Sequence, residues 1–196
     1  MQIVEVKDAE QVKDFLAVNA IMNAANPCYI RALDNEVNEV FDPVKNKNFK
    51  WGQAKRWVAY TDDGLLVGRI AAFTNDKYIN KGTDFKTGGV GFFDCINDQA
   101  TANLIFDTAK EWLFSMGVEA MDGPINFGDR DKWWGLMVDG FDKEPMYGMS
   151  FNPSYYQALF EGYGFKNYYN QYYYYLNVED PLPEKFPERY AKFNSK

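Results

Sequence analysis

Residues 88–125, GGVGFFDCINDQATANLIFDTAKEWLFSMGVEAMDGPI, decide the fold. Gly88–Ile96 is rich in Val, Phe and Ile and reads as a strand. Residues 99–116 place Leu104, Ile105, Ala109, Trp112, Leu113 and Met116 on one broad face at helical spacing, and Gly117 follows as a left-handed cap. Residues 118–125 read as the next strand. Strand, long helix, strand implies two parallel neighbours joined by a right-handed crossover.

The flanks add antiparallel elements. Residues 2–7, QIVEVK, alternate as a short strand, and Asp8 with Gln11 three residues on forms a capping box for a helix to about Ala25, where Pro27 follows. Residues 29–53 read as a loop with one or two helical turns. Trp57–Thr61 and Leu65–Phe73 are strands joined by Asp62-Asp63-Gly64, a hairpin turn because Gly64 tolerates positive φ. Asn75–Thr87 reads as a loop. Residues 126–152, rich in Gly, Asp, Trp and Met without a period, are too long for a plain connector. Asn152 and Pro153 are placed to start a helix that Gly164 ends, and Tyr168–Val178, YYNQYYYYLNV, is a strand by propensity. The expectation is an α/β domain over 1–178 with a mixed twisted sheet of about six or seven strands, and a tail or the start of a linker over 179–196.

Composition limits the chemistry. Hydrophobic residues at 46% and charged residues at 25% are those of a globular domain, and 18% aromatic residues supply large rigid side chains. A net charge of −7 repels phosphate backbones, so no nucleic-acid partner is expected, and a polyanionic cofactor would need local compensation. Apolar runs such as Ile70–Phe73 are too short to span a bilayer and the N-terminus is unlike a leader peptide, so a cytoplasmic protein without membrane partners is expected. Cys28 and Cys95 lack metal-ligand or disulfide-framework spacing, and no metal is expected. Histidine is absent, which removes Ser-His-Asp relays and imidazole shuttles; protons must move through Asp, Glu, Tyr, Lys or water. Acyl transfer to an amine remains open, since it needs positioning and a proton path.

The element order, with LLVGRIAAF (65–73), GGVGFFDCIND (88–98), AKEWLFSMG (109–117), DGPINF (122–127), GLMVDGFDKEP (135–145) and NPSYYQALFEGYGF (152–165), resembles a bacterial branch of the GNAT acyltransferases. Proteins of that branch are roughly twice this length, with a second GNAT-like half after a segment like EKFPERYAKF (184–193); by that likeness this chain is a first half. The resemblance implies acetyl-CoA or another acyl-CoA as cofactor, and a small-molecule or peptide amine as acceptor. The pantetheine would lie along Phe93, Cys95 and Ile96 in the gap between two splayed strands. The pyrophosphate would lie over Asn97, Gln99, Thr101 and Ala102 at the start of the long helix. Two departures stand out. The family's glycine loop is missing, with no glycine between Asp94 and Glu111 and with Asp98 where a basic residue is common. The position of the family's acid Tyr is Phe160, leaving Tyr155, Tyr156 or Tyr163 to substitute.

On this reading Asp94, Asp122 and Tyr156 are the candidate catalytic groups, and Arg69, Asn126, Trp133 and Trp134 the candidate substrate contacts. Each has a structural alternative. Arg69 beside Gly68 either meets an anionic ligand or serves the strand. Cys95 either reacts or fills space as a small hydrophobe. The segment Asn126–Phe151 either faces substrate or is a solvated turn. The function classes are an acyl-CoA-dependent N-acyltransferase, a non-catalytic GNAT-fold platform for a ligand, peptide or second half, and a homodimer using the tyrosine strip.

Overall fold

A computed structural model describes residues 1–77, 85–181 and 183–195. The loop expected over 75–87 lies partly outside the described residues. Strands β1 (Gln2–Glu5), β2 (Gly52–Tyr60), β3 (Leu66–Asn75), β4 (Thr87–Cys95) and β5 (Ala120–Asp122) form one sheet in sequence order. Neighbours from β1 to β4 are antiparallel, and β4 with β5 is parallel. Five strands thus stand where six or seven were expected.

Local chemistry accounts for the elements. Asp8 accepts from the Glu10 and Gln11 amides and Gln11 reaches back to the Asp8 amide, so the expected capping box starts α1 (Ala9–Asn23). Gly64, at φ +81°, turns the β2–β3 hairpin. α2 (Asp34–Val40) and a 3₁₀ turn at Lys47–Lys50 fill the segment expected to hold one or two helical turns. α3 (Gln99–Ser115) is the crossover helix between β4 and β5, and Gly117 follows it at φ +73°.

The sheet is covered on both faces. Trp57, Ala59, Ile70 and Ala72 pack against Ile105, Phe106, Ala109 and Leu113 of α3. Val58 and Ala71 point the other way and pack on Phe15, Leu16 and Val18 of α1. Burial of the Val, Leu, Ile and Phe side chains among these stabilises the fold by about 1.5–3 kcal/mol each.

Four expected elements differ. The strand expected over Trp57–Thr61 is Gly52–Tyr60, so it begins inside the segment expected to be loop. The strand expected over 118–125 is only Ala120–Asp122, because the chain leaves β4 after it. The helix expected to begin at Pro153 begins at Tyr156: α4 is Tyr156–Tyr163, with Pro153 in the turn before it and its carbonyl accepting from the Tyr156 amide at 3.2 Å. Gly164 ends α4 at φ +112° as expected. Tyr168–Val178 is not a strand. Propensity supplies side chains that suit a ladder, but strand stability needs a partner for the backbone, and this segment has none among the described residues.

The chain divides into two units, Met1–Lys166 and Asn167–Lys196. The first holds the sheet and α1–α4. In the second, Tyr168, Tyr172, Tyr174 and Tyr175 are exposed rather than packed in a sheet, and α5 (Lys185–Asn194) exposes Phe186, Tyr190 and Phe193. No described helix is long and apolar enough to cross a membrane.

Candidate functional site

β4 and β5 begin side by side and then part. Thr87, Gly88 and Gly89 pair with Ala120, Met121 and Asp122, and the Ile125 amide donates to the Val90 carbonyl at 2.8 Å. A Cβ built on Gly91 would overlap the Ile125 carbonyl oxygen, so only glycine lets the two segments meet at the point of parting. Just beyond it, the β3–β4 register shifts between Arg69 and Ala71, and Phe92 adopts φ +47°. That irregularity is a bulge, which re-aims the next side chains. Arg69 and Asp94 end opposite one another across the two strands.

Asp94 is the hub. Its carboxylate accepts from Arg69 Nε at 2.6 Å, from Asn19 Nδ2 at 2.9 and 3.1 Å, and from the Tyr156 hydroxyl at 3.0 Å. Arg69 also donates to the Phe15 carbonyl at 2.7 Å, and its guanidinium lies 4.7 Å from the centre of the Phe15 ring. Asn19 is held in turn by the Tyr29 hydroxyl at 2.7 Å. Both members of the Arg69–Asp94 pair are buried, at 6% and 2% side-chain exposure. Burial pushes the Asp94 carboxyl above its ordinary range; the Arg69 charge and the hydrogen bonds from Asn19, Arg69 and Tyr156 oppose the rise. Burial, followed by the charge of Asp94, also lifts the Tyr156 phenol well above its ordinary value.

These groups open onto a cavity of about 70 Å³. Its floor includes Asp94, Arg69 and Tyr156, and its walls include Phe92, Phe93, Trp133 and Phe160. At that size it admits the reacting end of a ligand rather than a whole ligand of ordinary size. Of the sequence-expected residues, the structure brings Asp94, Tyr156, Arg69, Phe93 and Trp133 to this one cavity.

The others lie elsewhere. Asp122 is half-buried in β5 opposite Gly89 and does not line the cavity. Cys95 is buried, its thiol pushed up to about 12 by burial and by the charges of Asp98 and Asp94, so it packs rather than reacts. The Cys95 amide donates to the Tyr156 hydroxyl at 3.0 Å, its carbonyl accepts from the Tyr155 hydroxyl at 2.8 Å, and the Ile96 amide donates to Val67 at 3.0 Å. The backbone expected to meet a pantetheine at Cys95 and Ile96 is therefore already engaged. Asn97 is exposed, and Ala102 is buried in the core. Gln99 ties α3 to α4 through the Leu159 carbonyl at 3.1 Å. The Thr101 amide donates to the Asp98 carboxylate at 2.7 Å. Hydrogen bonds from the Thr101 side chain and then from its amide hold the Asp98 carboxyl below its ordinary range, so a negative charge caps the helix end where a pyrophosphate was expected. Asn126 lines a second cavity, and Trp134 is half-buried with the Arg130 guanidinium 5.2 Å from its ring centre.

Sequence reasoning missed Asn19 and Tyr29. Asn19 lies on the inward face of α1, four residues after the buried Phe15 and three after Leu16, and Tyr29 lies in a loop; Asn19 stands 75 positions from Asp94, so no local spacing marks either as a partner of that carboxylate.

Among solved structures the chain resembles the aminoglycoside 6'-N-acetyltransferase of Acinetobacter haemolyticus, at a TM-score of 0.54 and 14% identity over 91% of this chain and 100% of that one. It also resembles the corresponding enzyme of Acinetobacter baumannii, at 0.53 and 13% identity over 90% and 98%. A third is AAC(6')-Iy with a CoA-derived bisubstrate analogue, at 0.52 and 10% identity over 90% and 98%. The chain has the fold of the GNAT acyltransferases, as its sequence motifs led one to expect.

Two curated relatives share sequence as well. One, from Caulobacter vibrioides, is named bacterial ceramide synthase and is 29% identical over 185 residues, 94% of this chain and 47% of that protein. The other is Protein YghO of Escherichia coli, 30% identical over 155 residues, 79% of this chain and 38% of that protein. The chain thus spans about half or less of the length of the curated relatives it matches. No protein-family model matches it.

Proposed function

We propose that this domain serves N-acylation: transfer of an acyl group from a thioester, acetyl-CoA or another acyl-CoA, to an amine at the Asp94 cavity. The observation that carries the reading is the Asp94–Tyr156 pair, a carboxylate and a phenol 3.0 Å apart on the cavity floor beside the parting of β4 and β5. A carboxylate whose proton affinity is raised by burial suits the role of base for the amine, and the Tyr156 phenol, a weaker acid for the same burial, suits relay of that proton to the leaving sulfur rather than independent acid catalysis. In balance, the C–N bond forms as the C–S bond breaks, the nitrogen proton passes to Asp94, the thiolate takes the Tyr156 proton, and Asp94 returns its proton to the Tyr156 oxygen across their 3.0 Å contact. Water excluded by Phe92, Phe93 and Phe160 strengthens both roles.

The groups present fit the acyl end of such a donor better than its phosphates. The acyl end would enter at the Asp94 cavity, but Tyr155 and Tyr156 occupy the backbone of Cys95 and Asp98 occupies the end of α3, so the rest of the donor needs another hold. The acceptor class follows from the apolar wall, which includes Ile30, Val37, Leu136, Met149 and Phe151. An amine carried on an apolar chain suits it, and the relative named bacterial ceramide synthase supports that choice, since a ceramide is an N-acylated long-chain amino alcohol. A cytoplasmic setting accords with the free thiols of Cys28 and Cys95.

A second reading, a GNAT-fold platform without catalysis, is favoured by one observation: the Cys95 amide and the α3 N-terminus are both filled by the chain's own side chains. Thiol release from acetyl- and long-chain acyl-CoA in the presence of short and long-chain amines separates the two. Catalysis by the chain, lowered about a hundredfold or more in Asp94→Asn, supports N-acylation. No release above the uncatalysed rate with any pair rejects it for this chain and leaves the platform.

A further inference from the structure

A second cavity, of about 370 Å³, opens beside α2 and the 3₁₀ turn, and falls within the size range of small-ligand sites. It has Trp133 in common with the Asp94 cavity but none of the catalytic candidates. Its wall contains Asn126, whose residue is 4% exposed and whose Oδ1 is buried without a hydrogen-bond partner. A buried amide oxygen left unmatched costs stability, and its place on the cavity wall lets a partner from outside the chain satisfy it.

The surround indicates what that partner is. Glu36 accepts from Lys132 at 3.2 Å and from the Tyr147 hydroxyl, and Glu39 accepts from Lys45 at 2.8 Å. With Asp129 and Lys47 the rim carries as many carboxylates as ammonium groups. A ligand of either charge would therefore meet like charges as often as opposite ones. A hydroxyl donates and accepts, so it can satisfy the Asn126 amide in either of its two orientations and can reach the spare lone pairs and N–H groups of the rim. The half-buried Trp133 in the lining gives an apolar surface against which the C–H face of a ring can lie.

We infer that this cavity is a binding site for a neutral polyhydroxylated molecule of monosaccharide or cyclitol size, held through Asn126. The inference needs no acyl transfer and stands or falls separately from the proposed function. The test is a titration of the isotope-labelled chain, without any acyl donor, followed by magnetic resonance at the Asn126 side-chain amide and the Trp133 indole. The neutral probes are myo-inositol and methyl glucoside; the charged ones are acetate and ethylamine.

The expected result is a saturable shift at both resonances with a neutral probe, and affinity about tenfold weaker in Asn126→Leu, the loss of roughly one hydrogen bond. Leu removes an unmatched polar group, so the variant is expected to unfold at a temperature no lower than the unsubstituted chain. Should it fail to fold, the shift map of the unsubstituted chain decides alone. Absence of a saturable shift with either polyol would mean water alone fills the site and would overturn the inference. Tighter binding of acetate or ethylamine, or unchanged binding in a folded Asn126→Leu, would overturn it equally.

Discussion

The Tyr156 hydroxyl donates to Asp94 Oδ1 at 3.0 Å and accepts from the backbone amide of Cys95, the next residue along β4, at the same distance. One hydroxyl from α4 thus joins the main chain of β4 to its buried carboxylate. Tyr156→Phe keeps the ring against Phe93 but leaves the Cys95 amide without its acceptor and Asp94 without one donor. A loss of about 1–3 kcal/mol in urea unfolding is expected. A variant as stable as the unsubstituted chain would show that the hydroxyl adds nothing to the fold.

The Arg69–Asp94 pair makes a sharper prediction. Removing only the cation in Arg69→Met strands a buried carboxylate and is expected to cost about 3–5 kcal/mol. The double variant Arg69→Met, Asp94→Leu is expected to recover much of that loss, because both charges leave together. Additive losses in the double-mutant cycle would contradict the coupling.

Gly91→Ala tests the parting of β4 from β5. The added carbon meets main chain at Ile125, which cannot rotate away. Destabilisation of about 1–3 kcal/mol is expected, as for overpacked cores, together with loss of whatever ligand the Asp94 cavity takes. A neutral effect would show that the strands can move apart freely.

Much of this frame was legible before the structure. Asp8 and Gln11 announced α1, Asp62-Asp63-Gly64 the hairpin, and the spacing from Leu104 to Leu113 the crossover helix, because each is a local chemical rule. Asp94, Arg69 and Tyr156 were legible as candidates through their place in the motifs. Their mutual contact was not, since it depends on the bulge at Phe92, which no local preference announces. Tyr168–Val178 failed for the opposite reason: its propensity is strong, but a strand also needs a neighbour. The engagement of the Cys95 amide was invisible because it rests on which way α4 turns Tyr156.

Alkaline pH should expose the buried phenols. Burial and nearby carboxylates push Tyr29 and Tyr155 up to about 12, and raise Tyr60, Tyr156 and Tyr163 as well. A phenol whose folded value is raised contributes stability that is fully present below its unfolded value of about 10, and that is lost as pH climbs through the folded value. Stability is therefore expected to fall from about pH 10 towards pH 12. Ultraviolet difference absorbance should show a late, unfolding-linked fraction of tyrosine ionisation. Complete ionisation of all tyrosines in one early step, with the fold intact, would contradict the burial of these rings.

The central claim, that this GNAT fold serves an acyl-CoA thioester, is tested most directly by calorimetric titration of acetyl-CoA into the chain and into Asp98→Asn. Asparagine caps a helix about as well as aspartate but carries no charge. Saturable binding by the chain and tighter binding by Asp98→Asn are expected, as a carboxylate leaves the path of the phosphates. No heat of binding by either protein at millimolar ligand would contradict the claim.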